Sequence, residues 1–127
     1  LADVWDELAP LPKHNFSFQR AETQPPNGER FADQCQRIAT YLHAQEVRIA
    51  AEQDTRTHVM FAHAHTIRAV IAHCFRLDPD TALSIAIDNY SRTIFDYLPP
   101  EPEGNSTLTP AGGNWQLRGL NIPATEP

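Results

Sequence analysis

Residues 57–73 read THVMFAHAHTIRAVIAH. Residues 58–62 form a short apolar run that suits a strand, and residues 65–77 switch to helical period. His63 and His65 stand at the handover, with Arg68 one turn further on. Ligands of open α/β sheets bind at the carboxyl ends of strands. His63 is predicted at such an end, and the amides from Ala64 onward open a helix. A helix N-terminus attracts anions through its free N–H groups and a partial charge of roughly +0.5. A histidine beside it can donate to a phosphate or move a proton near neutral pH. Arg68 would brace this site or pair with a carboxylate.

Two other chemistries compete. A histidine near a strand end is often purely structural, and His65 could simply cap the helix. His63 and His65 also fall on one face of a strand, as in zinc and dinuclear sites. Such sites need more His and Asp ligands. The nearby additions are His58, at the wrong end of the strand, and His73, two turns down the helix. No metal and no cofactor are expected.

The elements that must hold these residues are readable in part. Residues 2–9 suit a short helix, and residues 10–28 a long loop with four prolines. Residues 29–52 read as a long helix, with Phe31, Cys35, Ile38 and Leu42 on one face and Glu29 and Asp33 near its positive end. Residues 58–62 lack alternation, as in a strand buried on both faces. Ile67, Val70, Ile71, Cys74 and Phe75 mark the core face of the next helix. Asp78 as N-cap and Pro79 at the first helical position open a short helix over 79–86. Residues 91–98 and 114–121 read as a hairpin around a loop at 99–113. A loose tail is expected from residue 122. The order gives an α/β fold in a single domain.

Bulk composition narrows the class. The chain has 127 residues, 41% of them apolar, which is enough for one core. Its net charge of −6 argues against nucleic-acid binding. No apolar run approaches the ~18 residues of a membrane span, and no signal-peptide pattern is present. Cys35 and Cys74 read as reduced core thiols, so a cytoplasmic protein is expected.

The motif around His63 resembles the second-histidine motif of the histidine phosphatase superfamily, the phosphoglycerate mutase-like proteins. Members read Ser-His-Gly-Gly or Ser-His-Gly-His, then two residues, then Arg. Here the stretch is Ala62-His63-Ala64-His65-Thr66-Ile67-Arg68. PPNGERFADQCQRI, from residue 25, is similar to the family's Pro-Gly-Gly-Glu-Ser segment and its helix. IDNYSRTIFDY and NWQLRGLN are similar to its last two strands. Order and spacing agree over residues 25–121.

The resemblance implies a three-layer α/β/α fold and a phosphomonoesterase working through a phosphohistidine. His63 would hold the transferring phosphoryl oxygens with the Ala64 amide, as a catalytic residue of the site. His65, Arg68 and Glu29 would line or support the pocket. The partner would be a small phosphorylated substrate or inorganic phosphate.

The departures are specific. The chain contains no Arg-His-Gly, the family's nucleophile motif, and His14 is the only histidine before the long helix. The family's acid segment has no match either, Ala62 replaces the usual Ser, and Arg30 replaces another. The sequence begins at Leu1 rather than Met, which favours a domain incomplete at its N-terminus. The alternative is a truncated relative that binds phosphate without hydrolysing it. In the family the first strand lies beside the strand that ends in the second histidine. The 58–62 strand is therefore expected to expose an apolar edge, to be covered by a missing N-terminal half or a second copy.

Overall fold

The computed structural model describes residues 20–100 and 114–124. The helix expected over 2–9, most of the 10–28 and 99–113 loops, His14 and residues 125–127 lie outside this range. The described elements are α1 (Phe31–Glu52), α2 (Ala64–Phe75), α3 (Pro79–Ala82), β1 (Ser91–Leu98) and β2 (Asn114–Pro123). Helices with a small sheet make this an α/β chain, consistent with the phosphoglycerate mutase-like class.

α1 runs 22 residues and buries Phe31, Cys35 and Leu42, as its apolar spacing requires. It ends where Gln53 turns left-handed at φ 51°. The Asp54 carboxylate then binds Arg48, Arg56 and His58 at 2.9–3.1 Å and fastens the outgoing segment to the helix end. A shallow open depression of about 280 Å³ lies here, lined by residues 52–56 rather than by His63.

α1 and α2 run parallel, side by side. Phe31 meets His65 ring edge to face at 5.4 Å, and Gln34 Nε2 donates to Thr66 Oγ1 at 3.1 Å. About three turns on along α1 and two along α2, Glu46 and His73 pair at 2.7 Å. On the α2 side the seam is made of small residues. Ala69 and Ala72 pack with Phe31, Cys35, Ala82 and Leu83 in one buried cluster. Small side chains allow the backbones to approach closely.

This shifts the buried face of α2 from the expected one. Its most buried residues are Arg68, Ala69, Ile71 and Ala72. Of the five apolar residues expected in the core, Ile71 alone is fully buried, while Ile67, Val70, Cys74 and Phe75 are half-buried. The alanines face the neighbouring helices, and the larger groups fall to the flanks.

Asp78 caps α3 by accepting from the Asp80 amide, with Pro79 at the first position. The helix is shorter than expected, ending at Ala82. Asp80 in turn accepts from the Ala21 amide at 2.6 Å, tying α3 to the approach of α1.

β1 and β2 form the expected antiparallel hairpin, with Tyr97 opposite Trp115 and Phe95 opposite Leu117. Tyr97 stacks on Trp115 at 4.7 Å, and Phe75 of α2 stacks on Phe95 at 6.4 Å. The tail expected to be loose from residue 122 is instead held to 124. β2 continues to Pro123, and the Ala124 amide donates to the Tyr90 carbonyl.

The strand expected over residues 58–62 is not formed. No described strand pairs with it, and Val59, Met60 and Phe61 are 76%, 61% and 98% exposed. A buried parallel strand needs neighbours on both edges and cover on both faces, and the described residues supply none of these. Both cysteines are free thiols. Cys35 is buried, and burial pushes the thiols up, to about 11 for Cys35 and about 12 for Cys74. Among the described residues no helix is long and apolar enough to cross a membrane.

Candidate functional site

A helix is expected to open just after residue 63, and α2 begins there. His63 is the N-cap of α2, with extended backbone at φ −109° and ψ 167°. Its imidazole is exposed and caps no amide of the helix. The first bond of the helix runs from the Ile67 amide to the His63 carbonyl at 3.0 Å. The Ala64 amide precedes that bond and points out of the helix end.

The electrostatics of the two neighbouring helix starts differ. Because α1 and α2 are parallel, their positive ends lie together. At α1, Asp33 sits in the first turn, and Arg30 grips it with bonds of 2.8 and 2.9 Å while also reaching Glu22. The arginine holds the Asp33 carboxyl below its usual range. The Ala32 amide donates to the Ala21 carbonyl. α2 has no acidic residue in its first turn. No acidic residue of its own first turn compensates its helix dipole, which suits an external anion.

His65 is not the cap. It is the second residue of α2, half-buried against Phe31. Burial, and next the charge of Arg68, hold its imidazole below the ordinary histidine value. Arg68 is 2% exposed and donates through Nε to the Ile85 carbonyl at 2.6 Å. It therefore braces the first turns of α2 from below against the segment after α3. Burial lowers its own pKa, but an arginine keeps its charge near neutral pH.

Glu29 stands just before α1. Arg37 holds it through two bonds of 3.0 and 3.1 Å and lowers its pKa. Its carboxylate is thus engaged on the α1 surface. The structure gathers His63, Ala64, His65 and Arg68 around one helix start, whereas Glu29 serves its neighbour. Among the described residues no three His, Cys, Asp or Glu side chains group as a metal site would require.

The sequence reading missed Gln34 and Thr66, whose bond joins the two helix starts. A signal existed. Gln34 lies three residues from Phe31 and next to Cys35, so a polar amide stands at the border of an apolar stripe.

The model of the histidine phosphatase superfamily (branch 1) matches residues 3–118. That match starts well before residue 25, where the similar motifs begin. No curated protein and no solved structure is matched by the chain. The family match takes in His63, the helix behind it, β1 and the first half of β2; the chain belongs to the histidine phosphatase superfamily, and membership supports a function of the phosphatase type.

Proposed function

We propose that the protein is a phosphomonoesterase of the histidine phosphatase type, in which His63 and the Ala64 amide hold the phosphoryl group. The observation that carries this reading is the start of α2. An exposed histidine stands at the N-cap position, its imidazole not engaged in capping, of a helix whose first turn has no acidic residue. Such an end offers N–H donors and positive potential to a phosphoryl group that gains charge in transfer. His63 adds a side-chain donor at the same place. The reaction would run through a phosphohistidine on the family's Arg-His-Gly histidine, a residue other than His63 that these 127 residues do not contain, and water would resolve it. His65 and Arg68 support the helix start and do not contact the phosphoryl group. A small phosphorylated molecule is the substrate, and the two free cysteines support a reducing, cytoplasmic setting.

The test is turnover of a phosphomonoester by the full-length protein and its His63→Ala variant. Loss of about 10²-fold or more is expected, as for removal of an oxyanion donor. Unchanged turnover overturns the role of His63.

One observation favours a second reading. The chain contains no Arg-His-Gly. A relative that keeps the anion site without the nucleophile would bind inorganic phosphate through His63, hydrolyse nothing and form no acid-labile phosphohistidine.

A further inference from the structure

The seam that carries the site is poorly keyed. α2 buries Arg68, Ala69, Ile71 and Ala72, and of these the two alanines, 0% and 6% exposed, are the ones that join the cluster with Phe31 and Cys35 of α1. Methyl groups present a smooth surface with little to resist sliding or rotation. One residue of slip moves a helix by about 1.5 Å and turns it by about 100°. Displacement of about 1 Å at a reacting centre can cost about 10²-fold in rate. Contacts beside the alanines therefore set the register of α2 at its N-terminal end: Arg68 ties it to the Ile85 carbonyl and His65 meets the Phe31 ring, but neither is a hydrogen bond to α1.

Gln34 is placed to do this. Its Nε2 donates to Thr66 Oγ1 at 3.1 Å in a part-buried contact. Thr66 is the third residue of α2, next but one to Ala64, and its side chain leans toward the helix N-terminus. A polar pair at the edge of an apolar seam costs free energy whenever the partners separate. A single alignment of α2 on α1 satisfies it. At the far end Glu46 and His73 hold the same alignment, but about two turns from the site.

We propose that Gln34 is a positioning residue for the phosphate site, acting through Thr66 to fix the direction of His63 and the Ala64 amide. The inference rests on the phosphate reading of that site. Gln34 touches no substrate. Its bond selects the arrangement of the helix start that binds the anion, so losing it spreads α2 over neighbouring arrangements and weakens binding.

The experiment measures the dissociation constant of inorganic phosphate by calorimetry on the full-length protein, with the melting temperature recorded beside it. Gln34→Met keeps the bulk and removes the donor. Thr66→Val keeps the shape and removes the acceptor. Each is expected to weaken phosphate binding roughly three- to ten-fold, the range for one net hydrogen bond. The double variant should be no weaker than the worse single one, because the two act through one bond. Thr66→Ser should bind as the parent does. A merely structural role would lower the melting temperature and leave phosphate binding unchanged well below it. If His63→Ala weakens binding while Gln34→Met and Thr66→Val do not, the positioning role is overturned and the site stands. If His63→Ala leaves binding unchanged, or the parent binds no phosphate, the site reading falls and the Gln34 role with it.

Discussion

Arg68 Nε donates to the Ile85 carbonyl at 2.6 Å while the arginine is 2% exposed, so a buried cation joins α2 to the segment that follows α3. The bond spans 17 residues of chain and lies one turn below His63. Buried guanidinium groups are retained in folded chains when their N–H groups are satisfied and their removal would orphan acceptors.

Arg68→Ala should therefore destabilise the fold by about 2–4 kcal/mol, since it leaves the Ile85 carbonyl without this donor and opens a void beneath α2. Arg68→Lys should recover little of this, because an ammonium on a flexible stem cannot reproduce the planar fork. Urea unfolding of the three proteins checks the prediction. A loss below about 0.5 kcal/mol for Ala would show that the bond adds nothing to stability.

His65 makes stability depend on pH in a defined direction. Burial, with the Arg68 charge second, lowers its folded pKa below the ordinary value of 6.5. Above that value the imidazole is neutral in both states and no free energy is lost. As pH falls below it, the unfolded chain takes up a proton that the folded chain refuses. Stability then declines until the folded pKa is passed. Urea titrations at pH 7.5, 6.5 and 5.5 should show this decline. His65→Phe keeps an aromatic ring against Phe31 and should flatten it. An identical slope in the variant would mean that other groups carry the pH dependence.

Local chemistry was legible in the sequence, and long-range pairing was not. The apolar spacing of Phe31, Cys35 and Leu42 located α1, and Asp78 before Pro79 located the start of α3. Both signals act within a few residues. The hairpin was legible because antiparallel strands close on their own loop. The face of α2 was misread because large apolar residues were expected at the centre. Close helix approach instead favoured Ala69 and Ala72 there. His63 could be located by its neighbours in sequence. Gln34 could not be matched to Thr66, because 32 residues separate them and their meeting depends on the parallel packing of two helices.

Residues 58–62 show the same limit most plainly and lead to the last expectation. Their composition suits a buried strand, yet Phe61 is 98% exposed beside Val59 and Met60. An apolar segment whose backbone pairs with no described strand is a template for another chain. The 127-residue chain studied alone should therefore self-associate through this segment, with a second copy supplying the missing pairing. Sedimentation velocity over a hundred-fold concentration range should show a mass that rises with concentration. Phe61→Lys should hold the chain monomeric to higher concentration, because an exposed charge opposes edge pairing. The fold should survive this change, since the Phe61 side chain contributes nothing to the buried cluster around Phe31 and Ala69. A chain that stays monomeric throughout and melts sharply and cooperatively at low concentration would show that this segment needs no partner.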